Sequence, residues 1–381
     1  PPPSPTPPPS PPEDVADEPP TVRAHSGCSM LVIDLPTDVL CKLYEFVALP
    51  FVLKLVSRTL RVAGPKTTET RLSEVVRTSW RFRWAYRVGC PFEWNAQLAS
   101  KMARHGALGA LWWAHRNGMP WDHRTCEQAG KFGHLETLKV AAINGCDMDV
   151  SAVANCAACH GQIHVLEWIH DNYKTPLNEW TCIGAARYGQ LATLKWLRAH
   201  SCEWNVWCIV NAAIGGHLKL IQWARANGCK WNRMAVMWAA RNGHMDVLVW
   251  LCESGCNWDE RACMYAARGG HLEVLEWLRG GPCGVCPWKS ETCWAAAMSG
   301  HLNVLKWLIA NDCPTCWTTW AGAALAGHVH VLRWLLSQGW SRNDAMNHCS
   351  YAGTHPKTMR WIETMHRWDL VRSEVTSWKC T

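Results

Sequence analysis

The stretch Trp258-Asp-Glu-Arg-Ala-Cys-Met-Tyr-Ala-Ala-Arg-Gly-Gly270-His-Leu-Glu-Val-Leu-Glu-Trp277-Leu-Arg279 decides the fold. Cys263, Ala266 and Ala267 fall at i, i+3 and i+4, and Leu272, Leu275 and Leu278 follow at steps of three with Val274 and Trp277 beside them. Each half is therefore an amphipathic helix. Gly270 between them suits a helix C-terminal turn, where a residue without a side chain takes positive φ at little cost.

The same pattern recurs in both directions. Its anchor glycines are Gly106, Gly133, Gly161, Gly189, Gly216, Gly243, Gly270, Gly300 and Gly327, separated by 27, 28, 28, 27, 27, 27, 30 and 27 residues. A fixed period in this range marks a solenoid of identical supersecondary units. The predicted fold is all-α: helix, tight turn, helix, short loop, repeated over residues 80–368. A partial unit ending at Trp84 and a worn one around Thr354 to Trp361 read as end caps, and residues 369–381 as a C-terminal cap or tail.

The repeats resemble ankyrin repeats. Ala239-Ala240-Arg-Asn-Gly243-His244-Met-Asp-Val-Leu and Ala266-Ala267-Arg-Gly-Gly270-His271-Leu-Glu-Val-Leu carry the likeness to the second half of that unit. The ankyrin unit has about 33 residues, so each repeat here is shorter, and the deficit falls where the family forms a β-hairpin finger. Little or no β-structure is expected. Thr125-Cys126, Thr181-Cys182 and Thr292-Cys293 replace the family's Thr-Pro-Leu-His start.

Ahead of the array, residues 1–29 are proline-dominated, with Glu13, Asp14, Asp17 and Glu18 as an acidic patch, and have little to bury; they are expected to stay extended and disordered. Residues 30–65 hold Leu35-Pro36-Thr-Asp38-Val39-Leu40-Cys-Lys-Leu43-Tyr-Glu-Phe46-Val47 and Leu55-Val56-Ser57-Arg58. Pro36 suits a first helical turn, Asp38 favours the positive end of a helix, and Val39, Leu40, Leu43 and Val47 form an apolar stripe. This block resembles an F-box with a shortened middle spacer. The resemblance implies docking to a Skp-type linker of a cullin-based ubiquitin ligase through Leu35, Pro36, Val39, Leu40, Leu43, Phe46 and Val47. The alternative is a helical cap on the first repeat. Tryptophan-rich short arrays joined to such a segment also resemble proteins of giant DNA viruses, which implies a host target.

The chain has 381 residues and a net charge of +7, modest for its size. The charge is concentrated between Lys54 and Arg87, where nine basic residues face Glu69 and Glu74; residues 66–79 form a basic connector within it. With Trp80, Phe82, Trp84 and Tyr86 interleaved, this stretch supports a third reading as a nucleic-acid contact, held against an acidic protein partner or plain solvent. No apolar run approaches a membrane span of ~20 residues and no signal peptide is evident. The 21 cysteines mostly recur at fixed repeat positions, as small buried residues do, so a reducing compartment, cytosol or nucleus, is expected.

His134, His217, His244, His271, His301 and His328 recur one repeat apart, too distant to share a metal, and read as structural. Cys202, Cys229, Cys256, Cys286 and Cys313 form a loop ladder, and Cys126, Cys182, Cys263 and Cys293 occupy the first-helix core position. Cys283-x-x-Cys286 and Cys313-x-x-Cys316 have zinc-like spacing, but two members are ordinary ladder residues, so packing is the favoured reading and no cofactor is implied. Cys156-x-x-Cys159-His160 is placed in a helix core. The tryptophans divide into a second-helix ladder (Trp113, Trp168, Trp196, Trp223, Trp250, Trp277, Trp307, Trp334), read as packing, and a loop ladder with Trp94 at its start. Within the latter, Trp121, Trp204, Trp231, Trp258 and Trp288 are the candidate target-binding residues, with folding back over the helix ends as the alternative. No phosphate loop, nucleophile elbow or zinc-protease helix is present, so the chain is not expected to be an enzyme. It reads as a substrate adaptor for a ubiquitin ligase or, failing that, as a plain ankyrin scaffold.

Overall fold

The structure, a computed structural model, describes residues 79, 82–83, 86, 93–173, 177–281, 285–340, 355–361 and 364. The proline-rich segment, the F-box-like block with its docking residues, most of the basic stretch and residues 369–381 lie outside the described residues.

Among the described residues eighteen helices are bounded at both ends and follow one another, further helical residues lie at 356–361, and no strand occurs. They are α1 (Ala96–Arg104), α2 (Leu108–Arg116), α3 (His123–Lys131), α4 (Leu135–Ile143), α5 (Val150–Cys159), α6 (Ile163–Tyr173), α7 (Glu179–Arg187), α8 (Leu191–Ala199) and α9 (Val206–Gly215). Then come α10 (Leu218–Ala226), α11 (Met234–Asn242), α12 (Met245–Glu253), α13 (Arg261–Gly269), α14 (Leu272–Gly280), α15 (Ser290–Ser299), α16 (Leu302–Ala310), α17 (Trp317–Ala326) and α18 (Val329–Ser337). The all-α, ankyrin-like hairpin array expected from the period is thus the observed fold. The chain falls into two compact units, residues 1–177 with α1–α6 and residues 178–381 with α7–α18.

Seven of the nine first helices begin at a side-chain cap that the loop supplies. Asn95, Asp122, Asp149, Asn178 and Asn205 each accept a hydrogen bond from a backbone N–H in the opening turn, and Asn232 and Asp259 do the same one residue earlier. Each such cap contributes about 1 kcal/mol. Several first helices end at the anchor glycine in the left-handed region, as Gly243 and Gly270 do with φ of 75° and 81°.

Within each unit, first helices pack on the next first helix far more extensively than second helices pack on second helices. The cause is side-chain size. First helices meet through Ala185, Ala186, Ala212, Ala213, Ala239, Ala240, Ala266, Ala267, Ala296 and Ala297, all buried, so their backbones approach closely. Second helices carry leucine and tryptophan and stand apart. A row packed tighter on one side bends towards that side, which puts the first helices of each unit on its concave face.

The histidine ladder is structural, as its spacing implies. His134, His217 and His244 each donate Nε2–H to a carbonyl two residues before the previous anchor glycine, namely Arg104 (3.2 Å), Arg187 (3.0 Å) and Ile214 (3.0 Å). A carbonyl only accepts, so the ring is the Nε2–H tautomer. The bond satisfies one of the orphan carbonyls at the end of a first helix. Burial lowers the pKa of His301 and His328, against their own backbone hydrogen bonds to Arg268 and Met298.

Cys156 and Cys159 depart from expectation. The buried stripe of α5 is Val153, Ala154, Ala157 and Ala158, which leaves both cysteines half-buried on its flank and His160 exposed, its Nδ1 bonded to the Cys156 carbonyl at 3.0 Å.

Candidate protein-interaction surface

The loop tryptophans stand directly before the Asn, Asp or Lys that leads into six of the nine first helices, and this fixes where their rings go. Trp204, Trp231 and Trp288 lie half-buried, edge-to-face with the second-helix tryptophan of their own hairpin: Trp223 at 5.7 Å, Trp250 at 5.8 Å and Trp307 at 5.9 Å. Over the loop ring sits an arginine from the preceding second helix: Arg198 on Trp204 at 4.5 Å, Arg225 on Trp231 at 4.2 Å and Arg279 on Trp288 at 3.8 Å. The same three guanidinium groups donate to the carbonyls of Cys202, Cys229 and Cys286. Each arginine therefore ties one hairpin's end loop to the next hairpin's aromatic pair, and each cation–π contact contributes about 0.5–1 kcal/mol or more where water is excluded. In the first unit, Trp94 meets Trp113 at 6.3 Å, while Trp121 stacks on His115.

Trp258 breaks the pattern. The arginine position before it holds Cys252, and a shallow groove of about 390 Å³ opens there, lined by Cys252, Glu253, Gly255, Cys256, Asn257 and Trp258. Beside it, partly exposed ion pairs cross between repeats, Arg233 to Asp259 at 3.1 Å and Lys289 to Glu260 at 2.9 Å. The hydrogen bond to Lys289 holds the Glu260 carboxyl below its usual range.

The first helices add aromatics that the two ladders do not contain. Trp180 on α7 and Trp207 on α9 are 63% and 43% exposed. Both stand nine residues before their anchor glycine, so they occupy equivalent places on neighbouring first helices. Tyr188 and Trp317 are also exposed. Trp238 and Tyr265 meet edge-to-face at 5.6 Å on α11 and α13, with Arg241 4.9 Å from the former. Position nine before the glycine holds Met234, Arg261 and Glu291 in other repeats, so no aromatic period announced Trp180 and Trp207.

Of the zinc-spaced cysteines, Cys286, Cys313 and Cys316 are described, and they form no cluster of three metal-ligating side chains with the other described residues. Cys286 and Cys313 are buried and donate to the carbonyls of Asp259 and Lys289, and Cys316 pairs with the Thr318 hydroxyl at 2.8 Å. Cys283 lies outside the described residues. Among the described residues no three metal-ligating side chains cluster, and no helix is long and apolar enough to cross a membrane.

The match to a family model agrees with this architecture. Residues 209–287 match the family model for ankyrin repeats, in three copies. No curated protein matches the chain. Among solved structures, the crystal structure of the human ASB11 ankyrin repeat domain is similar at 18% identity, over 46% of this chain and 94% of that one, with a TM-score of 0.35. Over residues 209–287 the chain matches ankyrin repeats, which indicate a protein–protein interaction module.

Proposed function

We propose that the repeats capture a protein target on the first-helix face of residues 178–340 and along its loop edge. The observation that carries this reading is the pair Trp180 and Trp207, large apolar side chains left in solvent at equivalent positions of adjacent repeats. Isolated exposed apolar residues are ordinary, but neighbouring tryptophans on a concave row are the composition of an interface hot spot. In that unit the loop residues Trp204, Trp231, Trp258 and Trp288 form the rim of this surface, with Trp258 and its groove as the best-placed anchor among them, and Trp121 is the corresponding loop residue of the other unit. Alanine at both Trp180 and Trp207 is expected to weaken target binding at least 30-fold, in line with hot-spot losses of about 2 kcal/mol or more. The helical circular dichroism should not change, since neither side chain is in the core. Retained affinity in the double variant discards this face.

The finer role is that of a substrate adaptor. The F-box-like block docks a Skp-type linker of a cullin-based ligase, and the repeats present the captured protein to it. This rests on the resemblance of residues 35–58 and on the Leu40/Leu43 stripe. Calorimetry of the full chain with a Skp-type linker, beside a Leu40→Asp, Leu43→Asp variant, decides it. Micromolar or tighter binding lost in the variant supports the adaptor. Absence of binding leaves an ankyrin scaffold without ligase contact.

A further inference from the structure

Two cysteine ladders meet inside single repeats. Cys182, in the core of α7, donates its thiol to Cys202 Sγ at 3.1 Å, and Cys202 in turn donates to the Asn178 carbonyl at 3.2 Å. Both sulfurs are enclosed, at 0% and 2% exposure. Cys126 with Cys146, Cys263 with Cys286 and Cys293 with Cys313 occupy the same two positions of their repeats, the first of each pair seven residues before the anchor glycine and the second in the end loop, and all six are buried. In each of these pairs the loop cysteine also donates to a carbonyl at the start of its own first helix, Asp122, Asp259 or Lys289. Packing alone asks only for a small apolar side chain at each place. It does not ask for sulfur opposite sulfur, and two repeats prove the point: Cys229 and Cys256 belong to the same loop ladder, but the core position opposite them holds Ile209 and Val236.

We infer that Cys126–Cys146, Cys182–Cys202, Cys263–Cys286 and Cys293–Cys313 are dithiol sites that peroxide oxidises to disulfides within single repeats, locking each end loop to its own first helix. A disulfide has its sulfurs ~2.05 Å apart, so the Cys182 and Cys202 sulfurs, 3.1 Å apart, need to close by about 1 Å. The loop member reacts first. Its thiol is held below the usual range by the hydrogen bond from its core partner, with Arg198 beside Cys202 and Arg279 beside Cys286 adding to the effect, whereas the core member is pushed up by that bond and by burial. The loop thiolate attacks one peroxide oxygen; the O–O bond breaks, a sulfenic acid forms, and the departing hydroxide takes up the thiol proton as water. The core sulfur then attacks the sulfenic sulfur. The S–O bond breaks, the S–S bond forms, and hydroxide leaves with the core thiol's proton as a second water. Two cysteines are oxidised and one hydrogen peroxide is reduced.

The experiment is peptide mapping of the full reduced chain, treated with hydrogen peroxide at native conditions and then alkylated. The expected products are the four named cross-links, with Cys229 and Cys256 still alkylated, a raised thermal midpoint, and full reversal by a phosphine reductant. Cys202→Ser is expected to remove the Cys182–Cys202 cross-link and leave the other three. Should that variant misfold, the wild-type contrast between the four pairs and Cys229 with Cys256 still decides the matter. Unchanged alkylation of the four pairs after peroxide, loss of Cys229 and Cys256 at the same rate, or cross-links joining different repeats would each overturn the inference. Target binding does not enter the readout, so this result stands apart from the interaction reading.

Discussion

A single residue carries two demands at each repeat junction. Gly270 has φ of +81°, and a Cβ built there would meet the His301 ring at 2.6 Å. Gly270→Ala should therefore cost about 1–2 kcal/mol for the left-handed backbone, plus a clash. Removing the ring tests the second part: in a His301→Ala background the cost of Gly270→Ala should fall, and a double-mutant cycle by urea denaturation reads the difference. The histidines also set a pH response. Burial depresses His301 and His328 in the folded state, so the unfolded chain takes up protons first as pH falls. Their contribution is fully present above the unfolded value near 6.5 and is lost as pH drops through the lowered folded values. The denaturation midpoint should decline between pH 7.5 and 5.5, and less so in a His301→Gln, His328→Gln variant. Gln162 and Gln190 already stand at the equivalent position in two repeats, which makes glutamine a tolerated substitute.

At the scale of the element, each first helix depends on the loop before it. Asn205 caps α9 by accepting from the Trp207 N–H at 2.9 Å, so Asn205→Ala should cost about 1 kcal/mol, measured by the urea midpoint. Arg225 bridges α10 to the next hairpin through Trp231 and the Cys229 carbonyl. Arg225→Ala uncovers the indole, and a red shift of tryptophan emission with a small loss of stability is expected. A variant with unshifted emission and unchanged midpoint would show that this arginine is only a surface cation. The spacing of tryptophan to capping Asn or Asp is visible in the sequence at Trp94-Asn95, Trp121-Asp122, Trp204-Asn205, Trp231-Asn232 and Trp258-Asp259, and it could have located every one of these helix starts.

At the scale of the whole chain, the repeats behave as interchangeable units because each contacts chiefly its neighbours. Excising residues 217–243 joins Gly216 to His244 and removes one full period. The shortened chain should keep a cooperative helical fold with a smaller denaturant slope, since less surface is exposed on unfolding. Excising 217–230 instead leaves a half-hairpin with its apolar face uncovered and should abolish cooperative unfolding. Equal behaviour of the two deletions would contradict a modular array.

The sequence by itself determined the period, the two helices of every unit, the glycine between them, the structural character of the histidines and the lack of strands among the described residues. Each of these is local chemistry written many times over, and repetition separates it from chance. The tertiary structure alone decided what faces what. That Arg198, Arg225 and Arg279 cover tryptophans six to nine positions further along, that Cys252 leaves Trp258 beside an open groove, and that Trp180 and Trp207 stand in solvent depends on how one hairpin stacks on the next. The pairing of Cys182 with Cys202 depends on the bend of a single hairpin. Periodicity assigns a residue to a face of its own helix, but the neighbour across that face is chosen by packing, and so the interaction surface and the thiol pairs emerged only with the fold.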